Sequence, residues 1–210
     1  ERSPAVPCDV CIVGNLPKIQ LAEPLPDDLQ RRLGELADLW IAQPDRRVED
    51  LLEGAGLSPS AEWPLDLILA YEATRRRRIA AAIHLAEHGF NVRIHGESQW
   101  KSELAGTAAA ECWHGWVDSG DQQSAAFRAA SVSLNIGSFA APDMLNMRAF
   151  DIPAAGGVLI SDDESALHDA FDIGSEALAF KKIDELPAIV SGILADPARR
   201  TSIAAAGRAR

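Results

Sequence analysis

A chain of 210 residues with 47% hydrophobic and 24% charged residues has the length and apolar content for a sizeable buried core. Twenty basic against 31 acidic side chains leave a formal charge of −11, which argues against a surface built to neutralise nucleic-acid phosphates but leaves room for one local basic pocket. No run approaches the ~18 consecutive apolar residues of a membrane-spanning helix, so no transmembrane segment is expected.

The chain opens at Glu1-Arg2-Ser3-Pro4, without the basic start and apolar run of a signal peptide. A cytoplasmic setting is therefore expected, and a first residue other than Met is expected of a segment of a longer protein. Cys8-Asp9-Val10-Cys11 has the spacing of a metal or redox pair. A zinc site needs further ligands at comparable spacing, and a redox pair should open a helix, whereas Cys8–Val13 reads as a strand. Two buried strand cysteines are the expectation, with no metal and no cofactor.

Cys8–Val13 is a short apolar run that stops at Gly14-Asn15, the pattern of a buried strand ending in a loop. Leu25, Leu29, Leu33, Leu36 and Trp40 then recur at helical steps. Val48, Leu51, Leu52 and Leu57 predict a second helix, and Leu65, Leu69, Ile79, Ile83 and Ala86 a third that stops at Gly89. Residues 16–64 read as a helical insertion after the first strand, inside one domain that spans 1–210. Arg75–Arg78 on the third helix reads as a solvated face that partly neutralises nearby acids, and His84 and His88 as surface or packing residues.

From Phe90 the rhythm is strand then helix. Strands are predicted at Asn91–His95, at Glu111–Trp113 (weakly), at Ser131–Ile136, at Val158–Ser161 and at Ala177–Phe180. Helices are predicted through Ala125–Ala129, from about Met144, near Glu164–Ala170, at Ile183–Leu194 and at Pro197–Arg210. Short alternating units of this kind predict an α/β fold, a doubly wound parallel sheet covered on both faces. Ligands of such sheets bind beyond the carboxyl ends of the strands, which directs attention to Gly14-Asn15, Gly96–Trp100, His114–Trp116 and Gly137–Asn146. None of these loops contains GxGxxG or the GxxxxGK[ST] phosphate loop. Dinucleotide dehydrogenases, sugar-nucleotide epimerases and P-loop enzymes are disfavoured accordingly. Trp100, Trp113 and Trp116 fall in strand-end loops, where they would either stack on a base or pack the loop.

Residues 142–157 are the most informative. Asp143 is placed to cap a helix that starts near Met144, which would put positions 143, 147 and 151 on one face. The two carboxylates would then lie about 12 Å apart at roughly 1.5 Å per residue. Between them would lie a helix N-terminus and the Arg148 guanidinium, an anion site flanked by two hydroxyl-binding acids. The same pattern is met by a capping Asp143, an Arg148 paired with a surface acid and an Asp151 facing water.

The segment resembles the signature of CgeB-like (spore-maturation-protein type) glycosyltransferases of the group-one superfamily, carried by Asn146-Met147-Arg148, Phe150-Asp151, Ala154-Ala155-Gly156-Gly157 and Val158–Asp162. Val13-Gly14-Asn15, Arg75–Gly96 ending at Trp100, Ser133-Leu134-Asn135-Ile136 and Leu194–Arg210 resemble further motifs of that family in the same order. The resemblance implies a Rossmann-like domain, the C-terminal donor-binding half of a two-lobed GT-B enzyme whose N-terminal, acceptor-binding lobe is absent. It implies a nucleotide-diphosphate sugar as ligand, with Asp143 near the donor sugar, Asp151 on the ribose hydroxyls, and Asn146 and Arg148 on the diphosphate. Asp143 and Arg148 become the catalytic candidates. Gly14, Asn15, Gly96, Trp113, Gly115 and Gly137 become further substrate-binding candidates, the loops at Gly96 and Trp113–Trp116 bordering the base. Both acids are Asp where the family more often has Glu. A module that binds or senses a nucleotide sugar without transferring it is the alternative.

Overall fold

A computed structural model of the chain describes residues 6–60, 62–142 and 144–210. They divide into two compact units. One comprises residues up to Asn15 together with Ile79–Gly137 and the chain from 144 onward; the other comprises Leu16–Arg78 and Ser138–Pro142.

The first unit is built on five parallel strands: β1 (Cys8–Val13), β2 (Val92–His95), β3 (Ala130–Leu134), β4 (Leu159–Asp162) and β5 (Leu178–Phe180). They lie in the order β2-β1-β3-β4-β5. Register follows the sequence closely, Val10 standing beside Val92 on one side and Val132 on the other. The central strands read as unbroken apolar runs because both faces are covered, and Val10, Cys11, Ile94, Val132 and Leu159 have essentially no exposed surface. Burial pushes the Cys8 thiol up to about 11 and the Cys11 thiol higher still, so both remain protonated core residues.

The weakly predicted strand at Glu111–Trp113 survives as a single parallel bridge between Trp113 and Ile94. It is held by Ile94 N–H to Cys112 O at 2.8 Å and His114 N–H to Ile94 O at 2.9 Å. Counting that bridge as a strand beyond β2, the order becomes the 3-2-1-4-5-6 of doubly wound α/β domains. The chain leaves β1 for one edge of the sheet and returns to its other side at β3. With right-handed crossovers, this reversal places helices on both faces and opens a crevice beyond the carboxyl ends of β1 and β3.

Of the connecting helices, α3 (Leu65–Glu87) gives its first part, to Arg78, to the second unit and the rest to the first. α4 (Gln99–Glu103), α5 (Asp121–Ala129), α6 (Arg148–Ala154), α7 (Ser165–Ala170), α8 (Leu186–Ala195) and α9 (Pro197–Ala209) follow. The predicted helix at Ile183–Leu194 is divided: a 3₁₀ turn at Ile183–Glu185 precedes α8, where Pro187 occupies the first turn. Gly207 lets α9 approach the loop before β5, since a Cβ there would stand 2.5 Å from the Glu176 carbonyl oxygen.

The second unit contains α1 (Asp27–Ala42), α2 (Val48–Gly54) and the start of α3. Its core gathers Leu29, Leu33, Ala37, Trp40, Leu51, Leu52, Leu65 and Leu69, the side chains whose spacing predicted the helices. The segment 138–142 is tied into it: Phe139 N–H donates to Thr74 Oγ1 at 2.9 Å, and its ring lies 4.8 Å from that of Trp40. Arg75 and Arg76 both pair with Glu72, at 2.7 and 2.6 Å, and Arg76 also with Asp38. Half of the basic run is thus engaged in ion pairs, and Arg77 lies over the Phe139 ring, 5.8 Å from its centroid. Among the described residues, no helix is long and apolar enough to cross a membrane.

Candidate functional site

Beyond the carboxyl ends of β1 and β2 the first unit opens a cleft of about 220 Å³ lined by Val13, Gly14, Asn15, His95, Gly96, Trp116, Val117, Asp118, Ser119, Gln123 and Arg148. The two strand ends form its floor. Gly14 N–H donates to His95 O at 2.9 Å and Gly96 N–H to Gly115 O at 3.0 Å. Asn15 closes the pair of loops from its side chain, Oδ1 accepting Glu97 N–H and Nδ2 donating to Glu97 Oε1, both at 3.0 Å. Glycine is required at position 96 by packing: a Cβ would stand 2.4 Å from the Gly14 carbonyl oxygen. That carbonyl also accepts the Trp100 indole N–H at 2.7 Å, while the Trp113 indole donates to Gly96 O at 3.0 Å.

The three tryptophans therefore have different places. Trp100, expected in a loop, lies in α4 with no exposed surface and serves as packing. Trp113 buttresses Gly96 from behind. Trp116 is 60% exposed on the cleft wall, its indole N–H on Asp118 Oδ1 at 3.2 Å, and is the one of the three that presents a ring to the cleft.

Arg148 dominates the electrostatics. It is the first residue of α6, and its side chain runs over the Gly14 backbone, where a Cβ would meet Nε at 3.3 Å. Its Nε is buried without a hydrogen-bond partner, and no carboxylate among the described residues forms an ion pair with it. Burial disfavours its charged form, and only the field of Asp151 opposes that. A cation in this condition is an incomplete interaction, because a desolvated charge needs an opposite charge and hydrogen bonds.

The helix predicted from Met144 begins at Arg148 instead, with Met147 at its cap position. The physical reason is Asn146: its side-chain Oδ1 accepts the Arg148 N–H at 3.0 Å, a local turn that competes with helix over 144–147. Of the expected helical face, positions 147 and 151 remain one turn apart, Asp151 N–H donating to Met147 O at 2.9 Å. Asp143 lies outside the described residues. Asp151 sits within α6 and accepts a hydrogen bond from Gln123 Nε2 at 3.0 Å, so it meets the cleft through a cleft-lining amide. Asn146 holds the start of α6 and does not line the cleft. Gly137, past the end of β3, donates its N–H to Asp162 Oδ2 at 2.6 Å and also lies outside the cleft. Gly14, Asn15, Gly96 and Arg148 are brought together, with Trp113 and Gly115 directly behind them.

Sequence reasoning missed the cleft residues His95, Val117, Asp118, Ser119 and Gln123. His95 is 3% exposed with Nδ1 unpartnered, and burial, reinforced by His114 and opposed by a backbone contact at Gly115, lowers its pKa to about 4. Its position just before Gly96, at the end of a strand, was the available signal. Gln123, on α5, had none. No group of three or more metal-ligating side chains occurs among the described residues.

Residues 75–210 match the family model described as glycosyl transferase-like. No curated protein matches the chain. Among solved structures it is similar to the C-terminal domain of a glycosyl transferase group 1 family protein (LpcC) from Francisella tularensis, at 14% identity and a TM-score of 0.48 over 64% of this chain and 75% of that one. The family match takes in well over half of the sequence, from within α3 to the last residue, and the chain belongs to the glycosyl transferase-like family.

Proposed function

We propose that this chain is the donor-binding lobe of a CgeB-like, two-lobed GT-B glycosyltransferase, that it binds a nucleotide-diphosphate sugar, and that a further lobe of the same protein binds the acceptor. The observation that carries this reading is the half-buried Arg148 guanidinium, its Nε buried without a hydrogen-bond partner, without an ion pair among the described residues and lying over Gly14 at the carboxyl end of the sheet. A diphosphate supplies the missing charge, and the fork of the guanidinium suits its oxygens. Asn146 contributes by fixing the first turn of α6 and hence the root of Arg148. Trp116 offers an apolar ring for the base, and Asp151 with Gln123 offers acceptors and donors for ribose hydroxyls. Asp143 takes the donor-sugar role that the family signature implies.

In this reading the sugar leaves a nucleoside diphosphate, and Arg148 lowers the barrier by stabilising the negative charge that grows on the departing phosphate. No cofactor or metal enters the scheme. Free thiols at Cys8, Cys11 and Cys112 suit the reducing cytoplasm. Calorimetry with a panel of nucleoside diphosphates tests the proposal: one member should bind without added metal, and Arg148→Gln should weaken that ligand more than the matching nucleoside. Failure of every member to bind at millimolar concentration overturns it.

A further inference from the structure

A second cavity of the first unit, open to solvent and larger than the cleft, lies at the opposite end of the sheet. It offers about 1040 Å³ and is lined by the first residues of β1 and β3 and by Val158 just before β4. Three arginines reach it from two elements: Arg128 in the last turn of α5, and Arg200 and Arg208 on α9. Among the described residues none of the three forms an ion pair. Arg200 Nη1 donates to Ser131 Oγ at 2.9 Å, and Arg208 Nη1 lies 3.9 Å from where a Gly156 Cβ would stand. Among the described residues one carboxylate lines the cavity, Asp9, which accepts the Asn91 N–H at 2.8 Å.

We propose that this cavity is a second anion site, taking a small molecule that carries two or more phosphate groups. In a chain of net charge −11, three cations around one carboxylate at a single cavity are a local reversal of sign that has to be maintained against the surrounding field. Arginine is the side chain whose planar fork matches phosphate oxygens. The stripe Thr201, Ala204, Ala205 and Arg208 recurs at helical spacing, so α9 turns small residues toward the cavity and leaves its volume open. No aromatic ring lines it among the described residues, which points to recognition by charge without stacking on a base. A phosphorylated small molecule is favoured over an acidic peptide because the cations converge on one cavity, whereas a peptide spreads its carboxylates along its length. Arg128 and Arg208 each also complement the carbonyl end of their own helix; that local role accounts for a stability effect but not for convergence with Arg200.

The site is distinct from the cleft. β1 alone separates the two by its six residues, roughly 17 Å at 3.3 Å per residue, beyond the reach of one diphosphate. Titration of the whole chain with inorganic pyrophosphate at low ionic strength, followed by calorimetry, tests the assignment together with circular dichroism and thermal melts. The wild type should take up two equivalents. The double variant Arg200→Gln/Arg208→Gln should take up one, as should Thr201→Glu, which sets a carboxylate among the arginines from an exposed helix position and is expected to keep the fold. Arg148→Gln should also take up one, at the cavity. A cavity that binds while Arg148→Gln changes nothing would sink the donor-site reading and leave this one standing. Uptake by Thr201→Glu equal to that of the wild type, a wild type whose single equivalent vanishes with Arg148→Gln, or binding of oligoglutamate but not of pyrophosphate would overturn the second site.

Discussion

The two ends of one parallel sheet handle positive charge in opposite ways. At the carboxyl end a single guanidinium, Arg148, is half-buried against Gly14 in a cleft of about 220 Å³. At the amino end three arginines line a cavity of about 1040 Å³, with Arg128 and Arg208 exposed and Arg200 half-buried. One desolvated charge acts through a low local dielectric and is weakly screened, whereas solvated charges gain strength by number and lose it to salt. The contrast teaches that a site's strength cannot be read from a count of cations. Raising the ionic strength should therefore weaken pyrophosphate binding at the amino end more than at the cleft.

The cleft end can be broken most severely at its floor. Gly96→Ala forces a Cβ to 2.4 Å from a backbone oxygen, where no side-chain rotation relieves it. A loss of ~3 kcal/mol in urea unfolding is expected, the upper end of overpacking costs, together with loss of nucleotide binding. Gly156→Ala, at the rim of the amino-end cavity, should leave nucleotide binding at the cleft intact.

The next effect is a dependence on pH that belongs to the cleft alone. His95 titrates near 6.5 when unfolded and near 4 in the folded chain, lowered by burial and then by His114, with Arg93 acting in the same direction. Through that interval the unfolded chain binds the proton and the folded chain does not, so stability falls as pH falls from 6.5 to 4 and is fully retained above it. The ceiling is roughly 3–4 kcal/mol. Urea midpoints measured across that interval should drop for the wild type and flatten for His95→Gln; equal slopes for both would remove His95 as the source.

Arg148→Gln should cost about 2 kcal/mol of nucleoside-diphosphate affinity, the scale of a charge-assisted hydrogen bond, with little change in thermal stability. The folded chain loses a half-buried cation that has no ion pair among the described residues, so stability is expected to hold or rise slightly. A large fall in melting temperature would show that Arg148 is structural. The smallest effect, about 1 kcal/mol, is expected for Asp151→Asn: weaker binding of a ribonucleotide, little change for its 2′-deoxy analogue. Because Asp151 also accepts from Gln123, an equal loss for both ligands with a lower melting temperature would assign it to joining α5 and α6 instead.

The elements were legible wherever one period dominates. Leu29, Leu33, Leu51, Leu52, Leu65 and Leu69, picked out by spacing, are the core of the second unit. The runs at Cys8–Val13 and in β4 are strands because burial on both faces leaves them uniformly apolar. The start of α6 was misread because propensity favours a cap at Asp143, whereas the hydrogen bond from Arg148 N–H to Asn146 Oδ1 starts the helix later. Trp100 was read as a loop residue because a helix of five residues leaves no periodic trace.

The sequence by itself determined the strand-and-helix alternation, the carboxyl-end loops as the place to look, and Gly14, Gly96 and Arg148 as candidates, since these follow from local pattern and short motifs. Only the tertiary structure decided which of those residues meet. The Arg148 side chain comes to lie over Gly14 although 134 positions separate them in number, and Gln123 reaches Asp151 between two helices. Arg128 joins Arg200 and Arg208 at one cavity. Such meetings depend on strand order and on the reversal at β1 and β3, and a pattern confined to neighbouring residues carries no information about either.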